Sequence, residues 1–258
     1  MALLHVNTYS EVLEQHISFD ALIPNGGSAV SSEEEQLYPA LYLLHGLSDD
    51  HTVWQRWSSL ELQLGSLPLA VIMPTTLRGF YTDMKYGPKY FTFISEELPK
   101  ICERLFHISP KREDRFAAGL SMGGYGAFKL GLRCPNRYGA VASLSGALDV
   151  VGSTESAFDY DTILHDFSLI FGERGEAIGT KDDLFALAEN ITDDKEKLPK
   201  FFQWCGVSDK LYQENKCFNE KFGEKLGIEY HEGPGSHEWL YWDMHIKDVL
   251  EWLPVRGK

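Results

Sequence analysis

What the chain lacks narrows the reading first. Its 258 residues include only four cysteines, Cys102, Cys134, Cys205 and Cys217, with no C-x-x-C pair and no histidine at zinc-finger spacing. That argues against a disulfide framework or a structural zinc site and leaves free, largely buried thiols. Basic residues are scarce, 24 Lys and Arg against 38 Asp and Glu, for a formal net charge of -14. Such a surface repels phosphate backbones and anionic bilayers, so neither nucleic acid nor a membrane is an expected partner. No apolar run approaches the roughly 18 residues of a spanning helix. Residues 1–15 have neither the basic start nor the apolar stretch of a secretory leader, and the expected location is the cytoplasm. Repeats are absent, and low complexity is confined to residues 31–35 beside Gly26-Gly27-Ser28, which reads as a solvated loop between two early strands.

What is present is an alternating chain of ordinary composition, 43% hydrophobic and 24% charged. Its length suits one α/β domain with a large core. Short apolar runs at 41–44, 69–73, 116–118, 141–144 and 201–205 each end in or near Gly or Pro, the pattern of buried parallel strands. Helical periodicity lies between them and after them, at 94–106, 122–133, 212–226 and 239–253. Pro99 predicts a kink or a late start in the first of these, and Gly227 closes the third as a C′ residue. Residues 6–23 read as antiparallel strands ahead of the parallel part. The polar, Asp-rich stretch 149–199 breaks the alternation and reads as a small, cap-like insertion over one end of the sheet. The expected architecture is a mostly parallel central sheet with antiparallel N-terminal strands and helices on both faces.

The strongest chemical signal is Gly119-Leu120-Ser121-Met122-Gly123-Gly124. It satisfies G-x-S-x-G between an apolar strand and a helix, the setting of a nucleophile elbow, and makes Ser121 the candidate nucleophile at the carboxyl ends of the strands. His45-Gly46-Leu47 ends an earlier strand. An oxyanion hole in such a site takes one N–H from the residue after the nucleophile and one from an upstream loop, here Met122 and Leu47. A serine hydroxyl needs a base, and His165, His231, His237 and His245 follow it. His237 is favoured because Gly233-Pro234-Gly235-Ser236-His237 is a turn-rich loop from which an imidazole can reach a neighbouring strand end. His231 falls in a strand, His245 in a helix and His165 in the insertion. Asp209, after the strand at 201–206, is the candidate acid, although an N-cap for the next helix would also explain it. Asp193 and Asp194 are alternatives within a charged, solvated run. Trp54, Trp57, Phe80, Tyr81 and Tyr86 follow the two upstream loops, and with His45 they either border a substrate pocket or fill the core. Trp239, Trp242 and Trp252 are spaced as one helix's core-packing face.

Together these residues resemble the tributyrin esterase branch of the esterase D family, whose members include S-formylglutathione hydrolases. The resemblance is carried by residues 115–128 around Ser121, by Leu44-His45-Gly46-Leu47 with Trp54, by Phe80-Tyr81-Thr82-Asp83-Met84, by Ser95-Glu96-Glu97-Leu98-Pro99, and by Gly235-Ser236-His237-Glu238-Trp239. It spans residues 5–254 and is weakest over 149–199. It implies the α/β-hydrolase fold, hydrolysis of short-chain acyl esters, a Ser121–Asp209–His237 triad and Leu47 and Met122 as oxyanion donors. No cofactor or metal is required. The implied partner is a small-molecule ester, and a homo-oligomer is left open. S-formylglutathione hydrolysis, acyl transfer to an alcohol, and an inactive binding module are the alternatives.

Overall fold

The computed structural model describes residues 1–25, 37–152, 161–173, 175–192 and 194–256, with the side chains of 161–165 outside it. The glycine- and glutamate-rich stretch read as an early loop lies outside the described residues, as does Asp193.

Eight strands form one sheet: β1 (Ala2–Ser10), β2 (Gln15–Ile23), β3 (Ala40–Leu44), β4 (Ala70–Pro74), β5 (Arg115–Leu120), β6 (Ala140–Leu144), β7 (Lys200–Gly206) and β8 (Ile228–Gly233). Their order is β1-β2-β4-β3-β5-β6-β7-β8. The β1–β2 and β2–β4 pairs are antiparallel, and every pair from β4 to β8 is parallel. This is the mostly parallel sheet with an antiparallel N-terminal hairpin that the alternation predicts. The apolar runs are continuous because both faces are covered: every residue of β3, β4 and β6 is buried.

Helices cover both faces. α1 (Val53–Trp57), α2 (Leu60–Leu64) and α8 (Trp239–Trp252) share one apolar cluster with Leu41, Leu43, Val71, Phe116 and Trp204. α3 (Leu98–Leu105), α4 (Met122–Arg133), α5 (Asp161–Phe171), α6 (Leu184–Asn190) and α7 (Tyr212–Leu226) belong to the other face, whose cluster includes Tyr42, Ile72, Ala117 and Phe201. α4 and α7 begin and end where the periodicity places them, α7 closing on left-handed Gly227 (φ 66°).

The helix around Pro99 differs from expectation. Helical backbone begins at Tyr90, widens into a π turn over Phe93–Glu97, and continues as α3. Pro99 has no N–H with which to close its own turn, and the Ser95 carbonyl instead accepts from Arg137 Nη1 at 2.9 Å. The irregular turn therefore resolves the proline without a break in the helix.

The 149–199 stretch contributes α5 and α6 and packs on α4 through one buried cation. Lys129 Nζ is fully enclosed, 2.6 Å from Asp182 Oδ1 and 2.6 Å from Thr82 Oγ1, above the rings of Phe91 and Tyr125. Burial pushes its pKa down to about 8, against the Asp182 charge and hydrogen bond that raise it. Tyr125 donates its hydroxyl to the Asp182 carbonyl at 2.7 Å. Removing one partner of a buried pair leaves the other without compensation. Lys129→Met is expected to lower stability by about 3 kcal/mol, read as a shift in the urea midpoint at unchanged slope.

Candidate active site

Ser121 sits between β5 and α4 with φ 51° and ψ -117°. That backbone is strained for a residue with a side chain, and three hydrogen bonds fix it. Its N–H donates to the Leu144 carbonyl at 3.0 Å, and its carbonyl accepts the N–H groups of Tyr125 and Ala147, each at 3.1 Å. The turn tolerates no Cβ at position 123, where one would stand 2.5 Å from the Leu44 carbonyl oxygen and 2.8 Å from that of His45. Close contact between α4 and the end of β3 thus brings the Gly46-Leu47 backbone beside Ser121.

The loops after β7 and β8 are joined in the same way. Val207 N–H donates to Gly233 O and Ser208 N–H to Gly235 O, both at 2.9 Å. A Cβ on Gly206 would lie 2.3 Å from Gly235 O. With the loops so close, His237 Nδ1 lies 2.9 and 3.0 Å from the Asp209 carboxylate oxygens, and His237 Nε2 lies 3.0 Å from Ser121 Oγ. The carboxylate takes Nδ1–H as a donor, which leaves Nε2 as the acceptor for the serine proton. Asp209 also accepts Leu211 N–H at 2.8 Å just ahead of α7; Leu211 and not Asp209 is that helix's N-cap, so of the two alternatives the sequence left open it is the orienting geometry that Asp209 adopts. Burial alone would raise its pKa, but the His237 hydrogen bond and charge and the Leu211 N–H outweigh it and hold the carboxyl below its ordinary range.

The other histidines stand elsewhere. His231 faces Glu229 on the surface, and His245 stacks on Trp204 and bonds Asp248. The side chain of His165 lies outside the described residues. Asp194 pairs with Lys197 on an exposed turn.

Leu47 lines the same cavity as Ser121, and Met122 is buried directly after that serine in the chain. Met122 opens α4, where the first N–H groups have no acceptor within the helix. Among the described residues neither N–H donates to a backbone carbonyl.

A cavity of about 520 Å³ opens over this group. Its wall corrects part of the sequence reading. Phe80 lines it, as expected of a pocket residue, but His45, Trp54 and Tyr81 do not. All three are buried behind it and brace the loop: His45 Nδ1–H donates to Gly46 O at 2.7 Å and its Nε2 accepts Thr76 N–H at 3.1 Å. Trp54 Nε1–H donates to Leu44 O, and the Tyr81 hydroxyl to His45 O. Tyr86 is exposed away from the cavity. Trp242 is buried in the apolar cluster beneath α8 and Trp239 packs against it, as their spacing predicts, and both also line the cavity with Trp57, the Trp242 ring standing edge-on to His237 at 4.9 Å. Their three-residue spacing predicts a shared helix face but not which volume that face meets. Asp49 also lines the cavity, and the sequence reading passed over it. Its place two residues past the His45-Gly46-Leu47 turn is the available signal. Among the described residues, none from 149–199 lines the cavity. That stretch touches its wall through Phe167 and Phe171, which pack on Phe80.

Comparison with known proteins shows the family. The Esterase family model matches residues 10–253. An acetyl esterase of Caldicellulosiruptor saccharolyticus is 30% identical over 261 residues, covering 98% of each chain. Two solved structures from Staphylococcus aureus, each 30% identical and covering 98% of both chains, superpose closely: the fluorophosphonate-binding serine hydrolase FphF at a TM-score of 0.89 and an S-formylglutathione hydrolase at 0.86.

The brace at His45 carries a pH signature. Burial pushes its pKa down to about 4, whereas an unfolded histidine titrates near 6.5. Below pH 6.5 the unfolded chain therefore binds a proton that the folded ring refuses, and folding stability falls. Between pH 7 and 4.5 this one group is expected to remove roughly 2 kcal/mol. His45→Gln, compared with the native chain by urea unfolding at both pH values, should lack that part of the loss.

Proposed function

The chain belongs to the Esterase family and is a serine hydrolase of the α/β-hydrolase type; from that footing we propose that it cleaves short-chain carboxylic esters through an acyl-Ser121 intermediate. The observation that carries the reading is the unbroken row Ser121 Oγ–His237–Asp209, at 3.0 Å and 2.9 Å, on the floor of the aromatic cavity.

In the proposed cycle His237 Nε2 takes the Ser121 proton as Oγ attacks the ester carbonyl carbon. The carbonyl oxygen becomes an oxyanion held by the N–H groups of Leu47 and Met122, where fixed donors count for most. His237 then gives its proton to the departing alkoxide, and the acyl group stays on Ser121. Water enters, loses a proton to the same imidazole and attacks the acyl carbon. Collapse of the second oxyanion returns the proton to Ser121 and releases the acid. Asp209 keeps the imidazole in the tautomer this needs and stabilises the cation formed twice per turnover. No step requires a metal or cofactor. The substrate is a small molecule enclosed by Phe80, Trp57, Trp239 and Trp242. We read the whole chain as one hydrolase domain in which 149–199 is a cap-like insertion that acts on the pocket by backing Phe80.

A thioester substrate is the second reading, favoured by the likeness to a hydrolase of S-formylglutathione. The same residues would serve it, and rates on matched oxygen and sulfur esters separate the two.

Two measurements test the proposal. Ser121→Ala should lower kcat/KM for p-nitrophenyl acetate by at least about three orders of magnitude; equal activity in both proteins would overturn the assignment. Across a series of p-nitrophenyl esters, acetate and butyrate should outperform chains of about eight carbons or more, because a compact pocket cannot enclose a longer tail. A preference for the long chains would contradict the reading.

A further inference from the structure

The cavity contains a carboxyl that the acyl-transfer cycle does not use. Asp49 lines it together with Ser121 and His237. A Cβ built on Gly46 would stand 3.2 Å from Asp49 Oδ2 and 3.8 Å from Ser121 Cβ, so the carboxyl flanks the serine on the side of the Gly46-Leu47 backbone. It is half-buried. Arg56, whose charge acts on it, is paired with Asp50 at 3.7 Å, and Arg78, which bonds the adjacent Ser48, is paired with Asp166. Burial pushes the Asp49 pKa up to about 6, with Asp50 adding to the rise, against the Gly46 N–H and Arg56, which lower it. At neutral pH the group is therefore an anion. Its charge extends to the other side of the loop, where it contributes to the raised pKa of the buried Tyr81 hydroxyl.

The remaining charges on the cavity do not cancel it. Lys210 and Glu238 are of opposite sign, and both are exposed, where solvent and salt screen them. Asp209 faces His237. The half-buried Asp49 is the least screened charge on the cavity wall.

We infer that Asp49 makes this site choose its ester by charge, accepting neutral or cationic substrates and disfavouring those with a carboxylate near the scissile bond. The inference rests on the esterase reading above and narrows its substrate class. Asp49 also repels the developing oxyanion, but that effect is common to every substrate and cancels in a ratio of rates. The charge carried by the substrate itself does not cancel. A carboxylate is moreover an acceptor for hydroxyl and ammonium donors, so esters bearing such groups gain a contact. A glutathione thioester, with two carboxylates against one ammonium, falls on the disfavoured side.

The test uses phenyl acetate, 3-carboxyphenyl acetate and 3-(trimethylammonio)phenyl acetate, with each kcat/KM divided by the ester's own hydroxide rate to remove leaving-group electronics. The native protein is expected to favour the neutral over the anionic ester by about tenfold, the size of effect a unit charge exerts across a short, partly screened distance, and to favour the cationic ester further. Asp49→Asn retains an acceptor for Gly46 N–H and removes the charge, and should bring the three esters within about twofold of one another. A native enzyme without charge preference, or a preference unchanged in the variant, overturns the inference. If the variant is inactive on all three, the native series at low and high salt decides: a neutral-to-anionic ratio that shrinks with salt supports the inference, and a constant ratio overturns it. A native protein that hydrolyses none of the esters would sink the esterase reading and this inference with it, whereas charge-blind hydrolysis sinks the inference alone.

Discussion

The site is organised around the close approach of α4 to the end of β3. At Gly123 the helix meets the carbonyl oxygens of Leu44 and His45 with no room for a Cβ, and that contact sets the position of the helix start against the His45-Gly46-Leu47 backbone. Ser121 is held between them in a backbone conformation that costs about 1–3 kcal/mol, offset by its hydrogen bonds to Leu144, Tyr125 and Ala147. Phe80 and Tyr81, with φ 47° and 48°, are strained in the same sense. They are held by the Tyr81 hydroxyl on His45 O and by Lys129 on the adjacent Thr82. The two strained turns support each other through one histidine backbone.

Electrostatics follow from how far each group is buried and what faces it. His45 is enclosed without a carboxylate partner and is held neutral, which suits a ring that donates from one nitrogen and accepts at the other. Asp209 is buried too, but its imidazole and Leu211 N–H partners favour the charged form. Asp49, with less to compensate it, lies between these cases. Three groups around one loop thus reach different protonation behaviour from the same desolvation.

Much of this was legible in the sequence because the signals were local. G-x-S-x-G between an apolar run and a helical pattern gives the elbow, and the strand-by-strand alternation gives the parallel sheet. Pairing His237 with Asp209 was legible through chain order and loop composition, although the Gly206–Gly235 contact that brings the loops together was not, since two glycines far apart in the chain carry no sign of their meeting. Side-chain direction was the main loss. His45 and Tyr81 are adjacent in sequence to pocket residues and Trp54 lies three residues before one, but all three turn behind the wall, where their N–H and O–H groups brace carbonyl oxygens. Trp239 and Trp242 serve the core and the cavity wall at once. The π turn before Pro99 escaped because its remedy, the Arg137 guanidinium on Ser95 O, comes from a distant segment.

The parts of the site come from separate stretches of the sheet. Ser121 and the Leu47 loop follow β5 and β3, near its middle, while Asp209 and His237 follow β7 and β8, the latter an edge strand. The Ser121–His237 contact closes 116 residues of chain, and the entropy of closing such long-range contacts slows folding. The loop that bears His237 is placed by the pairing of β8 with β7, so the contact between Ser121 and His237 depends on the sheet being complete to its edge.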